Sequence, residues 1–148
     1  MIAAAGGSLA LLLGALAFQF IGNLPPCKMC YWQRYPHVGA ILVGVLVVVF
    51  GPRMWLAALG ALAALTTAGI GAYHVGVEQK WWEGPTGCTG FDISQMDASQ
   101  LLDAINAAPL VRCDEIPWSL IGISMAGWNS IISFGLFALW VMAFRRLT

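Results

Sequence analysis

The chain has 148 residues, 59% hydrophobic and 9% charged, with no formal net charge. It is too apolar for an ordinary soluble domain, and without any basic run it offers no nucleic-acid-binding surface. All seven acidic residues fall between Glu78 and Glu115, so one polar island interrupts a sequence whose natural solvent is a bilayer.

A helix needs about 20 apolar residues to cross the hydrocarbon core. Four stretches meet that need, and they predict an all-α, antiparallel four-transmembrane-helix bundle forming a single domain over residues 1–148. The first runs from Ile2 to Ile21; Ala15 and Ala17 imitate a signal-peptide cleavage site, but no positively charged region precedes the apolar run, so it reads as a span. A polar connection, residues 23–34, then carries Cys27-Lys28-Met29-Cys30. The second span is placed at Tyr35 to Phe50, with Tyr31, Trp32 and Tyr35 as its interfacial end. Pro36 suits a first helical turn and so favours a helix starting near Tyr35; a helix reaching back to Cys30 would instead put Arg34 one turn on, on the same face.

Gly51-Pro52-Arg53 makes a short turn, which implies antiparallel neighbours, into a third span from Met54 to Val77. Small residues at Ala57, Gly60, Ala61, Ala64 and Ala68 let that helix approach another closely. His74 near its end is open to three roles: contact with a bound ligand, donation to a carbonyl, or an interfacial marker. The long connection, residues 78–117, surrounds Cys88 with glycines and a proline, which predicts an exposed loop where a partner can reach that thiol. Asp97 and Gln100 open a short amphipathic helix with Ala98, Leu101, Leu102 and Ile105 on one side, ended by Pro109. After Cys113 the fourth span is placed at Trp118 to Phe144, and Trp81, Trp82, Trp118 and Trp128 are read as headgroup-level anchors.

Basic residues mark both sides, Arg53, Arg145 and Arg146 against Lys28, Arg34, Lys80 and Arg112, so counting them does not orient the bundle. The four cysteines share one face, and paired thiols persist in oxidising compartments, which puts that face outside the cytoplasm and both termini within it. Three pairings of these cysteines are open. A Cys-x-x-Cys at a helix start is suited to thiol–disulfide exchange, because the helix N-terminus and a nearby cation, here Arg34, favour the thiolate. Zinc would want a second close pair, and haem attachment a histidine where Tyr31 stands, so no metal is expected. A purely structural Cys27–Cys30 bridge would close too small a loop to constrain the unfolded chain much. Arg34 also suits a lipid-headgroup anchor, but a charge this close to an intramembrane thiol points to function.

The run Pro26-Cys27-Lys28-Met29-Cys30-Tyr31-Trp32-Gln33-Arg34-Tyr35 resembles the quinone-linked loop of the DsbB disulfide bond formation family. The resemblance extends to His74-Val75, to Cys88 and Cys113, and to Trp118-Ser119-Leu120-Ile121-Gly122-Ile123-Ser124-Met125. It implies a protein-dithiol:quinone oxidoreductase of the bacterial inner membrane, its cysteine loops periplasmic, that reoxidises a soluble DsbA-like oxidase and reduces ubiquinone or menaquinone. By the same resemblance Cys88 receives the mixed disulfide, Cys113 is its partner, Cys27 exchanges with that pair, and Cys30 is the quinone-facing thiolate. Arg34 is then the thiolate's electrostatic support and His74 a neighbour of the quinone. The long loop departs from the family in composition, which leaves the partner contacts open. A vitamin K epoxide reductase-like protein would carry its loop cysteines before the Cys-x-x-Cys, the reverse of the order here. A non-catalytic scaffold braced by disulfides would have inert thiols.

Overall fold

A computed structural model describes residues 1–85, 88, 97 and 111–147. Four helices dominate: α1, Ile2–Phe20; α2, Lys28–Phe50; α3, Met54–Glu78; and α4, Met125–Arg145. A two-stranded hairpin, β1 (Ser119–Leu120) and β2 (Ile123–Ser124), leads into α4. All four helices are long and apolar enough to cross a membrane, and this is a multi-pass, all-α membrane protein. The amphipathic helix expected after Asp97 lies outside the described residues.

Two helix starts differ from the sequence reading. The second helix begins at Lys28 instead of Tyr35, because Cys27 adopts an extended conformation and its sulfur accepts the Cys30 amide, capping the helix as a serine would. Pro36 therefore lies inside α2, where it denies the Trp32 carbonyl its helical donor; Trp32 is exposed near the polar end, where water can serve that carbonyl. The fourth helix begins at Met125 instead of Trp118. Ile121 and Gly122 both have positive φ, 55° and 74°, the geometry of a tight two-residue hairpin turn, which no continuous helix accommodates. Ser124 then caps α4, its Oγ accepting the Gly127 amide at 3.1 Å.

The helices pack in a ring, α1 on α2, α2 on α3, α3 on α4 and α4 back on α1. Small residues set the spacing. A Cβ at Gly60 would lie 2.4 Å from the Trp140 ring, and one at Gly44 would lie 2.4 Å from Ala5. Large apolar side chains such as Leu13, Leu42, Val48 and Leu62 face outward, as lipid contact requires. Near the α2–α3 turn an apolar cluster is centred on Leu56 and Trp140. At the opposite end, where α2 starts and α3 finishes, Cys27, Met29, Val77, Cys88 and Cys113 form a second buried cluster.

Candidate functional site

The capping turn of α2 brings Cys27 Sγ to 2.7 Å from Cys30 Sγ, and both are free thiols. Cys88 and Cys113 are joined as a disulfide, with Cα atoms 5.0 Å apart and the Cys113 amide donating to the Cys88 carbonyl. Cys88 is fully buried, which differs from the exposed thiol that its glycine-rich flanks predict. Disulfide formation removes its polar S–H, and the resulting apolar bridge packs in the cluster with Met29 and Val77. Burial at 4% exposure and the hydrogen shared with Cys30 push the Cys27 thiol above its ordinary range, the neighbouring sulfur being the larger cause. Beside Cys113, Arg112 pairs with Asp114 and holds that carboxyl below the usual carboxylate range.

His74, at the end of α3, links the two pairs. Its Nδ1 is 3.0 Å from Gln33 Nε2, and its Nε2 is 3.2 Å from the Cys113 carbonyl and 3.6 Å from Cys27 Sγ. The hydrogen-bond network assigns the tautomer. Gln33 Nε2 also lies 3.3 Å from the Met29 carbonyl, an acceptor only, and Gln33 Oε1 accepts from Asn129 Nδ2 at 2.8 Å, so the Gln33 amide donates to His74 Nδ1. The imidazole proton then sits on Nε2, aimed at Cys113 O and Cys27 Sγ. Among the described residues, Cys27, Cys30 and His74 are the group that could hold a metal, their donor atoms all within 4.8 Å of one another. In this tautomer, however, His74 presents a proton and not a lone pair to the sulfurs, which suits a thiolate better than a cation.

Arg34 is set by α1: Nη1 donates to Gln19 Oε1 at 2.6 Å and Nη2 to the Ala15 carbonyl at 3.4 Å, with the Tyr31 ring 5.1 Å from the guanidinium. Cys30, Arg34 and His37 recur at helical spacing on one face of α2, and all line a cavity of about 280 Å³ with Gln33, His74 and Glu78. Its apolar wall includes Phe18, Trp118 and Trp128. Trp118, whose ring centroid is 4.9 Å from that of Phe18, and Trp128 therefore line a cavity as well as marking the bundle's end. The outer pair differs: Trp81 and Trp82 are exposed, and Trp82 stacks on Tyr73.

The structure thus brings together all six residues singled out in the sequence, Cys27, Cys30, Arg34, His74, Cys88 and Cys113. It adds Gln33, His37, Asn129 and Glu78, which sequence reasoning passed over. Seven-residue spacing from Cys30 is the signal for His37. For Asn129 it is a lone amide in an apolar span. Glu78 offered none, since only the fold reveals that it is buried and accepts a hydrogen bond from Ser124 Oγ.

The family described as "Disulfide bond formation protein DsbB" matches residues 1–143. The chain is 37% identical over 142 residues to the Disulfide bond formation protein B of Verminephrobacter eiseniae, covering 90% of this chain and 77% of that protein. It is 31% identical over 140 residues to that of Saccharophagus degradans, covering 90% and 84%, and 32% identical over 151 residues to that of Albidiferax ferrireducens, covering 92% and 83%. No solved structure gives a significant match.

Proposed function

The chain belongs to the DsbB family of membrane disulfide bond formation proteins, and from that premise we propose that it oxidises a soluble periplasmic DsbA-like dithiol protein through two cysteine pairs and delivers the electrons to a membrane quinone. The observation that carries this reading is that His74 Nε2 lies against both pairs at once, reaching Cys27 Sγ and the Cys113 carbonyl beside the buried cysteine cluster.

The donor's thiolate attacks Cys88, forming a mixed disulfide and releasing Cys113 as a thiolate. Cys113 attacks Cys27 of an oxidised Cys27–Cys30 pair, so that a Cys27–Cys113 disulfide forms and Cys30 leaves as a thiolate beside the cavity and one helical turn from Arg34. The donor's second thiol attacks the donor sulfur of the mixed disulfide, so the donor leaves oxidised and Cys88 is freed as a thiolate. Cys88 then attacks Cys113 of the Cys27–Cys113 disulfide, restores the Cys88–Cys113 bridge and releases Cys27. The His74 Nε2 proton holds the Cys113 backbone against Cys27 and stabilises negative charge on sulfur during the exchange. Over a full cycle the donor loses two electrons and two protons.

A quinone bound in the cavity supplies the two-electron, two-proton acceptor for that balance. The residues fit such a group: aromatic walls for a ring, the Arg34 guanidinium as donor to an oxygen, and the Cys30 sulfur alongside. Small at about 280 Å³, the cavity suits a headgroup and not its tail. In this reading the cysteine face is periplasmic, both termini are cytoplasmic and the bilayer is the bacterial inner membrane. Cys27, Cys30, Cys88 and Cys113 carry the exchange, and Arg34 and His74 support it.

The test is quinone reduction by the purified protein in detergent, with a reduced DsbA-like protein as donor, comparing the parent with Cys30→Ser and Cys88→Ser. Turnover is expected only in the parent. A folded, quinone-loaded parent that turns over with none of several dithiol donors overturns the relay in favour of a disulfide-braced scaffold.

A further inference from the structure

We propose that Glu78 holds a proton for the Cys-x-x-Cys pair, taking it up when Cys30 becomes a thiolate and giving it back when the pair's electrons leave. This rests on the relay described above and adds a proton-holding residue to it.

Glu78 ends α3 one helical turn beyond His74 and is only 7% exposed. A carboxyl so buried calls for a partner or a use. Ser124 Oγ donates to one of its oxygens, Oε2. The other, Oε1, accepts no hydrogen bond from the described residues, yet it is not one of the sealed, partnerless side-chain atoms, which among those residues are Ser8 Oγ, His37 Nδ1, Ser133 Oγ and Trp140 Nε1. Oε1 therefore keeps accessible surface, and Glu78 lines the cavity that Cys30 and Arg34 also line.

The charges around that cavity explain what such a carboxyl does. Its walls on α1 and α4 carry no titratable side chain; α2 and its cap supply Cys27, Cys30, Arg34 and His37, α3 supplies His74 and Glu78, and the segment before the hairpin supplies Arg112 and Glu115. Arg112 and Glu115 are exposed and paired with each other at 3.3 Å. His74 accepts at Nδ1 and is neutral, and a cationic His37 would carry a sealed N–H with no partner, so it is neutral too. Arg34 is the remaining cation, and its hydrogen bonds go to the uncharged Gln19 side chain and the Ala15 carbonyl. The fields of Arg34 and Glu78 both reach the Cys30 sulfur, with opposite sign.

While Cys27 and Cys30 are joined, a carboxylate at Glu78 balances Arg34. Once Cys30 is a thiolate, the same carboxylate would leave a net negative charge in an apolar enclosure, and an uncompensated buried charge is strongly unfavourable. A proton on Glu78 restores the balance and leaves the thiolate to Arg34, the two acidic groups titrating as a pair. The protons and electrons then close over the cycle. The donor's first thiol gives its proton to water at the loop face, its negative charge passes through Cys113 to Cys30, and Glu78 takes up that proton. The donor's second thiol supplies the proton that the buried Cys27 sulfur regains on release. When the Cys27–Cys30 bond reforms, two electrons, the Cys27 proton and the Glu78 proton leave together, which is what turns a quinone into its hydroquinone. Glu78 is again a carboxylate.

The experiment counts protons with no quinone present. Quinone-free protein in detergent, its Cys27–Cys30 pair oxidised with diamide, is reduced with dithiothreitol in weakly buffered solution at neutral pH, and an indicator dye follows the medium. Glu78→Gln, which keeps an oxygen for Ser124, is expected to release about one proton more per pair reduced than the parent. Glu78→Asp is expected to behave as the parent. Infrared difference spectra of the same reduction should show a carboxylic C=O band appearing in the parent, moved by isotopically labelled glutamate and absent in Glu78→Gln. The label reads Glu78 even if that variant fails to fold, because the other two glutamates, Glu83 and Glu115, are exposed. Equal proton release by parent and Glu78→Gln, or no glutamate band in the parent, overturns the role of Glu78 and leaves the quinone relay standing. A folded parent whose Cys27–Cys30 pair dithiothreitol does not reduce overturns the exchange reading and this inference together.

Discussion

Gln33 shows how much one side chain can settle. Its amide nitrogen serves Met29 O and His74, its amide oxygen serves Asn129, and its burial leaves no water to substitute for any of them. Gln33→Leu should therefore destabilise the protein by at least about 2 kcal/mol, since several buried polar groups lose partners together. An unfolding midpoint in mixed detergent that matches the parent would show that the network is not held as described. The two thiols of the Cys-x-x-Cys pair should also differ. Cys27 is buried and its thiol is raised, so it stays protonated and slow to react until pH passes well above the ordinary thiol range of about 8.5. Cys30 is half-buried and borders the cavity. Timed alkylation of the reduced protein followed by peptide mass analysis should find Cys30 labelled first at neutral pH, and equal rates would contradict the asymmetry.

Among the elements, the start of α4 does most to build the site from local chemistry. Ser124 ends a hairpin, caps the helix through the Gly127 amide and donates to the buried Glu78 of α3. Ser124→Ala should cost about 2 kcal/mol, the cap contributing roughly 1 and the stranded carboxyl the remainder. Ser124→Thr should recover most of this, because a threonine hydroxyl can make both bonds. Thermal unfolding of the two variants in detergent checks the order, and an Ala variant as stable as the Thr one would remove Ser124 from this role. The start of α2 works in a related way, with the reactive Cys27 as its own helix cap. The positions of Cys27 and Cys30 are thus tied to the helix they begin.

For the whole molecule, close helix approach is what lets residues from distant parts of the chain form one network. Gly60 faces the fully buried Trp140, with no space for a Cβ. Gly60→Val should force α3 and α4 apart and destabilise the bundle by about 2 kcal/mol or more, whereas Gly39→Ala, where a Cβ would meet nothing within 4 Å among the described residues, should be neutral or mildly stabilising. Detergent unfolding curves that rank the two alike would refute close α3–α4 packing. Much of this architecture was legible in the sequence, because the length of an apolar run is dictated by bilayer thickness, and Gly51-Pro52-Arg53 leaves consecutive helices no choice but to reverse. The Cys-x-x-Cys spacing likewise declared thiol chemistry, since the sulfurs and the helix cap are local to four residues. The starts of α2 and α4 were not legible: Pro36 and the apolar run after Trp118 point one way, while a cysteine cap and a positive-φ turn, both set by backbone geometry, decide the other. Nor could the sequence foretell that Gln33, His37, His74 and Asn129 share a network, or that Cys88 is buried. Those facts depend on which faces of α2, α3 and α4 meet. Only the packed bundle makes that choice, by placing polar groups with no access to water where they can satisfy one another.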